Sequence, residues 1–331
     1  MKTQEFSTPR PYFTDGEFCV IMTEILSLAG TKGQAERGII MAALYAIILG
    51  IIQGITEFLP VSSFGHDVII SDMLGMNRAG GLLLETMLHL GTLAAVFFMF
   101  RTDLVRIGKE LLMMALEAVS NLQILIHNRR TEAEMPYHRL ITNTYRKLSA
   151  MLLVSFIPTA ILGFTARRLA EKAAFSPLSI GTGLLVTGVF LLVADFSNSG
   201  GERTPKDAKF DHAMWIGIAQ GLSVFPGISR CGLTICAALF CGFSRKFALK
   251  YSFLVSIPAV LGAFFSQISG FGASEMTAFL SFSYILGMLA AGFVGCLTVR
   301  FLFSVLQKIK LRYFAVYCFL AGAATLLWKI L

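Results

Sequence analysis

Apolar runs long enough to cross a bilayer recur along this chain, and polar residues break them in two different ways. Leu82 to Phe100 and the stretches near 148–166, 178–196, 249–268, 277–300 and 313–331 are predominantly apolar. A helical crossing needs roughly 20 apolar residues, so these predict about six transmembrane helices. Two further stretches, about 39–75 and 213–243, are apolar toward their ends and polar in the middle. In the first, the polar centre runs from Gln53 to His66 and contains Pro60, which removes a backbone donor, and Gly65, which frees the chain. A broken, re-entrant helical hairpin is the element predicted there, not a continuous span.

The second stretch repeats the first. Gly50-Ile-Ile-Gln-Gly-Ile-Thr pairs with Gly217-Ile-Ala-Gln-Gly-Leu-Ser, and Pro60 precedes Ser63 as Pro226 precedes Ser229. Broken hairpins in corresponding halves of a membrane chain point to one shared site where the breaks meet. Placing the basic segment 101–147 in the cytoplasm puts the basic loops 197–212, 244–250 and 300–312 on the same side. The first hairpin then enters from outside and the second from inside. That pattern predicts an all-α polytopic membrane fold with an inverted-topology repeat. Arg167, Arg168 and Lys172 fall outside on this count and are an exception to a statistical bias.

Composition changes the picture in two respects. With 55% hydrophobic residues, 15% charged and a mean hydropathy of +0.70, the chain is not an ordinary soluble domain. A formal net charge of +8 would suggest nucleic acid as the partner of a soluble protein; here the basic residues lie between apolar runs and set orientation, so the expected partners are membrane lipids and no nucleic acid. Residues 1–38 read as an N-terminal extension, whose apolar part Phe18 to Gly30 is interrupted by Glu24, too short to span and expected to be interfacial. Residues 39–331 read as one membrane domain, with an amphipathic helix around Val105 to Ile126 inside the basic loop 101–147. The six cysteines show neither paired nor metal-ligand spacing and read as small apolar fillers.

The polar centres hold the candidate chemistry: Gln53, Glu57, Ser62, Ser63 and His66 in the first, and Ser229, Arg230 and Thr234 in the second. Ionisable groups at membrane depth are costly and mark function. Gln53 and Glu57, four apart, share a helix face and suit a hard divalent cation, Mg2+ or Ca2+, which takes oxygen ligands and bridges to phosphate. Arg230 offers a fixed fork of donors matched to a phosphoryl group, and the backbone around Gly227 can add amide donors at a helix start. Ser63 and His66 can serve as nucleophile and base or acid; direct attack by His66, or by a water it activates, is the alternative. Glu85 and His89 form a weaker secondary pair. The residues alone describe a buried site for an anionic, phosphate-bearing ligand.

Gln53-x-x-x-Glu57 followed by Phe-Leu-Pro-Val-Ser-Ser-x-Gly-His66, then Pro226-Gly-Ile-Ser-Arg230-x-Gly-x-Thr234, resemble the two signatures of the undecaprenyl-diphosphate phosphatase family, also called bacitracin resistance proteins. The resemblance runs from about Ala43 to the C-terminus. It implies a plasma-membrane enzyme, its site opening to the outer face, that removes the terminal phosphate from undecaprenyl diphosphate and regenerates a carrier for envelope synthesis. It allows a homodimer. It maps the metal-and-acid motif onto Gln53 and Glu57, the serine-histidine segment onto Ser62, Ser63 and His66, and the phosphate-binding segment onto Gly227, Ser229, Arg230 and Thr234. Phe64, Cys231 and His89 stand where the family has threonine, serine and glutamine. A transporter or flippase that carries the same lipid without cleaving it is the rival expectation.

Overall fold

The computed structural model describes residues 32–73, 81–131, 134–197, 201–268, 278–305 and 310–328. Their order is α1 (Lys32–Thr56), α2 (Ser63–Met73), α3 (Gly81–Met99), α4 (Arg101–Thr131), α5 (Thr144–Ala173), α6 (Pro177–Phe196), α7 (Phe210–Leu222), α8 (Arg230–Phe240), α9 (Arg245–Ile268), α10 (Ala278–Val305) and α11 (Arg312–Leu327). Apart from one isolated bridge between Arg203 and Phe243, no β-pairing occurs among the described residues. By length and apolar composition α4, α5, α6, Arg245–Ser266 of α9 and Phe282–Val305 of α10 suffice for a crossing, and Ile40–Thr56, Leu83–Met99, Arg230–Phe240 and Arg312–Leu327 are shorter apolar helices. The chain is an all-α, multi-pass membrane protein.

Each expected span is a helix, and each polar centre is a helix, a break and a second helix. Two boundaries move. α1 starts at Lys32, so the junction drawn at residue 38 falls inside a helix: the polar turn before Ile40 contains no proline to stop it. The segment 101–147, read as a basic loop with an amphipathic helix around Val105 to Ile126, contains α4, a helix of 31 residues, followed by an irregular strap at 134–143. Its backbone bonds carry past both ends of the amphipathic stretch read from the sequence. The interfacial helix expected at Phe18 to Gly30 lies outside the described residues.

Packing follows the repeat. α1 and α3 pack on α10, while the corresponding α7 and α9 pack on α5; α6 packs on α11, and α3 on α9. Each hairpin therefore leans on a helix from the other half of the chain. The matched glycines make that approach close: a Cβ at Gly50 would meet the Gly287 carbonyl oxygen at 2.3 Å, and one at Gly217 would meet that of Ser155 at 2.1 Å. The largest apolar cluster joins Phe58 and Val61 of the first break to Ile235, Tyr251, Leu254 and Val299, and so holds the two breaks together.

Candidate active site

Glu57 directly follows α1, and Gln53, Ser63 and Arg230 turn toward it. Gln53 Nε2 donates to Glu57 Oε2 at 3.0 Å, one helical turn away as the spacing predicts. Ser63, the first residue of α2, donates its hydroxyl to the same oxygen at 2.6 Å. Arg230, the first residue of α8, donates Nη2 to Glu57 Oε1 from the other half of the chain. His89 Nε2 lies 3.6 Å from Oε2, with its Nδ1 bonded to the Glu85 carbonyl at 2.9 Å. A carboxylate 7% exposed is costly unless paired, and here Arg230 and the neutral donors divide its oxygens between them.

The backbone that places these groups is specific. Ser62 adopts φ +67, the left-handed turn that redirects the chain from α1 into α2, and its hydroxyl accepts from Gly65 N at 3.4 Å. Gly227 has φ +81, and a Cβ there would meet the Ile180 carbonyl oxygen at 2.2 Å. Ser229 caps α8, accepting from Gly232 N at 3.1 Å, while its own amide donates to Thr187 Oγ1 at 2.9 Å. The breaks also touch directly, Cys231 Sγ donating to the Phe58 carbonyl at 3.0 Å, and α11 supports the first break, Cys318 Sγ donating to the Pro60 carbonyl at 3.6 Å. Two of the cysteines read as fillers thus hold the first break in place.

His66 faces elsewhere. Its Nδ1 donates to the Ser62 carbonyl at 2.7 Å, which leaves Nε2 as the basic nitrogen, and the Tyr317 hydroxyl of α11 meets Nε2 at 2.6 Å. The hydroxyl of Ser63 has Glu57 as its partner, not His66. Ser63 lies at the start of α2, where its side chain points back toward the end of α1, whereas His66 lies one turn on and faces α11. Thr234 is fully buried one turn into α8, bonded to the Arg230 carbonyl at 2.8 Å and to Ser252 Oγ at 2.6 Å.

The structure therefore gathers Gln53, Glu57, Ser63 and Arg230 around one carboxylate, sets His66 beside them with Tyr317, and uses Ser62, Gly227, Ser229 and Thr234 in the frame of the breaks. Tyr317, Thr187 and Asp67 were not legible as site residues. Tyr317 and Thr187 lie in apolar spans with no motif around them. Asp67 follows His66 directly; it is buried, and neither carboxylate oxygen has a hydrogen-bond partner. Gln53 Oε1 and Gln220 Oε1, at matching places in the repeat, are likewise buried without partners.

The fold and this site define an integral membrane protein in which two broken helical hairpins meet around a carboxylate–guanidinium pair. Residues 46–324 match the family model described as bacitracin resistance protein BacA, and the chain belongs to that family. Among curated relatives, an undecaprenyl-diphosphatase of Alkaliphilus metalliredigens is 38% identical over 291 residues, covering 88% of this chain and all of the relative. An undecaprenyl-diphosphatase of Desulfosudis oleivorans is 37% identical over 286 residues, 86% of this chain and 98% of the relative. One from Methanosphaera stadtmanae is 35% identical over 287 residues, 87% of this chain and 98% of the relative.

Proposed function

We infer that the protein is an undecaprenyl-diphosphate phosphatase: it hydrolyses undecaprenyl diphosphate to undecaprenyl phosphate and inorganic phosphate, recycling the lipid carrier of cell-wall synthesis and giving bacitracin resistance. The relatives named above carry that activity in their names. The observation in this chain that carries the reading is the contact of Glu57 with both Ser63 and Arg230. A hydroxyl bonded to a carboxylate is placed to lose its proton, and the guanidinium beside it is placed to take the charge of a phosphate. A carrier that bound the same headgroup without cleaving it would need no group to receive a proton from Ser63.

In the proposed reaction the terminal phosphate displaces Glu57 from Arg230 and takes up its fork of donors. Ser63 Oγ attacks the terminal phosphorus and its proton passes to Glu57. The bond from that phosphorus to the bridging oxygen breaks, and undecaprenyl phosphate leaves with the electron pair. Water then cleaves the serine phosphoester, releasing inorganic phosphate. His66, one turn along α2 and protonated on Nε2 beside the Tyr317 oxygen when substrate is bound, gives that proton to the leaving lipid phosphate and takes one back from the water that cleaves the phosphoester, while Ser63 recovers its proton from Glu57. Gln53 Oε1, a buried oxygen without a partner, and Glu57 suit a divalent cation, Mg2+ or Ca2+, which when bound would neutralise phosphate charge. Among the described residues no group of three His, Cys, Asp or Glu is arranged to hold a metal, and Gln53 and Glu57 are the residues that would hold the ion. We further propose that the protein lies in the plasma membrane with its site opening to the outer face; the basic character of segments 101–147, 197–212, 244–250 and 300–312 supports a cytoplasmic side for those segments.

Purified protein incubated with undecaprenyl diphosphate and Mg2+ should release inorganic phosphate; binding without release would make it a carrier. With labelled substrate and an acid quench, the label should stay on the protein, since a serine phosphoester survives acid. Label lost in acid and kept in base would move the attack to His66. Absence of trapped label, with Ser63→Ala still active, would move it to water.

A further inference from the structure

α4 has the length and composition of a bilayer crossing, yet its hydrogen bonds describe an arm that leaves the helical bundle and comes straight back. At its root Asp103 Oδ1 accepts from Lys250 Nζ of α9 at 2.7 Å and from the Tyr145 hydroxyl of α5 at 2.9 Å. Further along, Glu110 and Glu117 both hold Arg146, Asn121 bonds the backbone N–H and C=O of His138, and Asn128 does the same for Met135. The partners step backward along the strap as the helix steps forward. Chain entry and exit are thereby fixed side by side, with α4 running roughly 20 Å beyond Glu117 at 1.5 Å per residue.

The repeat gives the same answer. α3 and α5 correspond to α9 and α10, and the second half has no helix matching α4 between them among the described residues. An arm that starts and ends at one place makes no net crossing. Nor can it dip through hydrocarbon and return, because the strap at 134–143 is irregular chain whose remaining backbone groups would go unpaired there.

The polar side of α4 is spent on the strap, whereas Leu112, Leu116, Val119 and Leu122 on the other side are 56–62% exposed. This apolar face is bracketed by Arg101 and Lys109 at the root and Arg129 and Arg130 at the tip. A cleft of about 520 Å3 at the root is lined by Arg106, Lys109, Glu110, Asn143, Thr144 and Tyr145. An apolar stripe flanked by cations fits the boundary between acyl chains and anionic headgroups. We propose that the arm formed by α4 and its strap lies flat in the headgroup region of one leaflet and gathers anionic phospholipid along it. The inference rests on the fold alone and is independent of the chemistry assigned to Glu57 and Ser63.

The full chain, carrying Trp215→Phe and Trp328→Phe, is to be reconstituted in phosphatidylcholine–phosphatidylglycerol vesicles with a single tryptophan at Leu112→Trp or Ile126→Trp. Both positions are exposed, so the changes leave the fold intact. Lipids brominated near the headgroup should quench both tryptophans strongly and equally, and lipids brominated near the chain ends only weakly. Arg129→Gln/Arg130→Gln should lower energy transfer from the tryptophan at Ile126→Trp to headgroup-labelled phosphatidylglycerol by about fivefold. Quenching depth that differs between the two positions would mean that α4 crosses the bilayer. No quenching at either would mean that water or a second copy covers the face, and unchanged transfer after the arginine substitutions would remove the anionic lipid from the proposal.

Discussion

Arg230 is held by one carboxylate in the free protein and, in the proposed reaction, releases it to bind phosphate. A lysine keeps the charge but not the planar fork. Arg230→Lys should therefore lower kcat/KM by the equivalent of about 2–4 kcal/mol, the loss typical of removing a preorganised donor; steady-state phosphate release measures it, and wild-type kinetics would reduce Arg230 to a helix anchor. Glu57→Gln keeps the shape while removing both the proton acceptor and the partner of Arg230, so turnover should fall below detection in saturating Mg2+ while the protein stays folded by thermal melting. In the proposed reaction Tyr317 acts through His66, whose Nε2 its hydroxyl meets, and not on the substrate. Tyr317→Phe deletes one neutral hydrogen bond worth about 0.5–1.5 kcal/mol, so kcat should drop by up to about tenfold with KM unchanged.

The breaks are the elements that matter most, because they turn helix ends toward the site. Their geometry depends on left-handed backbone at Ser62 and Gly227 and on contacts to carbonyls left open at the end of α1. At Gly227 the backbone conformation and the Ile180 carbonyl oxygen both exclude a side chain. Gly227→Ala should cost about 1–3 kcal/mol and displace the start of α8, so activity should fall together with the melting temperature. Normal melting with lost activity would instead assign Gly227 a direct contact with substrate. α4 shows the converse: its apolar face has no protein partner among the described residues, so its exposed positions should tolerate substitution as far as folding is concerned.

Across the whole molecule, the two halves exchange support. α11 carries Tyr317 and Cys318 to the first hairpin and is itself tied to α6 by Asp195, which accepts from Leu311 N at 2.9 Å and Arg312 Nε at 2.5 Å. The Asp195 side chain is buried but Arg312 is 40% exposed, so solvent screens the pair and it is worth about 1 kcal/mol. Asp195→Ala should lower the melting temperature and loosen α11, and Tyr317→Phe added to it should reduce kcat no further. Fully additive losses would show that Asp195 and Tyr317 act independently. The repeat is symmetric in packing but not in chemistry. Glu57 has Val224 near its counterpart, and Arg230 stands where the first copy has Phe64, so one hairpin supplies the acid and the other the guanidinium.

The sequence by itself determined the spans, the two broken hairpins and the residue types of the site. Hydrophobic run length, proline and glycine punctuation and the cost of buried polar groups are local properties, readable without coordinates. The tertiary structure decided which groups meet. Ser63 turned out to face Glu57 because the left-handed turn at Ser62 sets the start of α2 against the end of α1, and a residue's φ cannot be read from its neighbours in sequence. Tyr317 reached His66, and Thr187 reached Ser229, through packing between halves of the chain, which no local motif records. The segment 101–147 became an arm for the same reason: its asparagines and glutamates look like solvated loop residues until the strap they hold is placed alongside them.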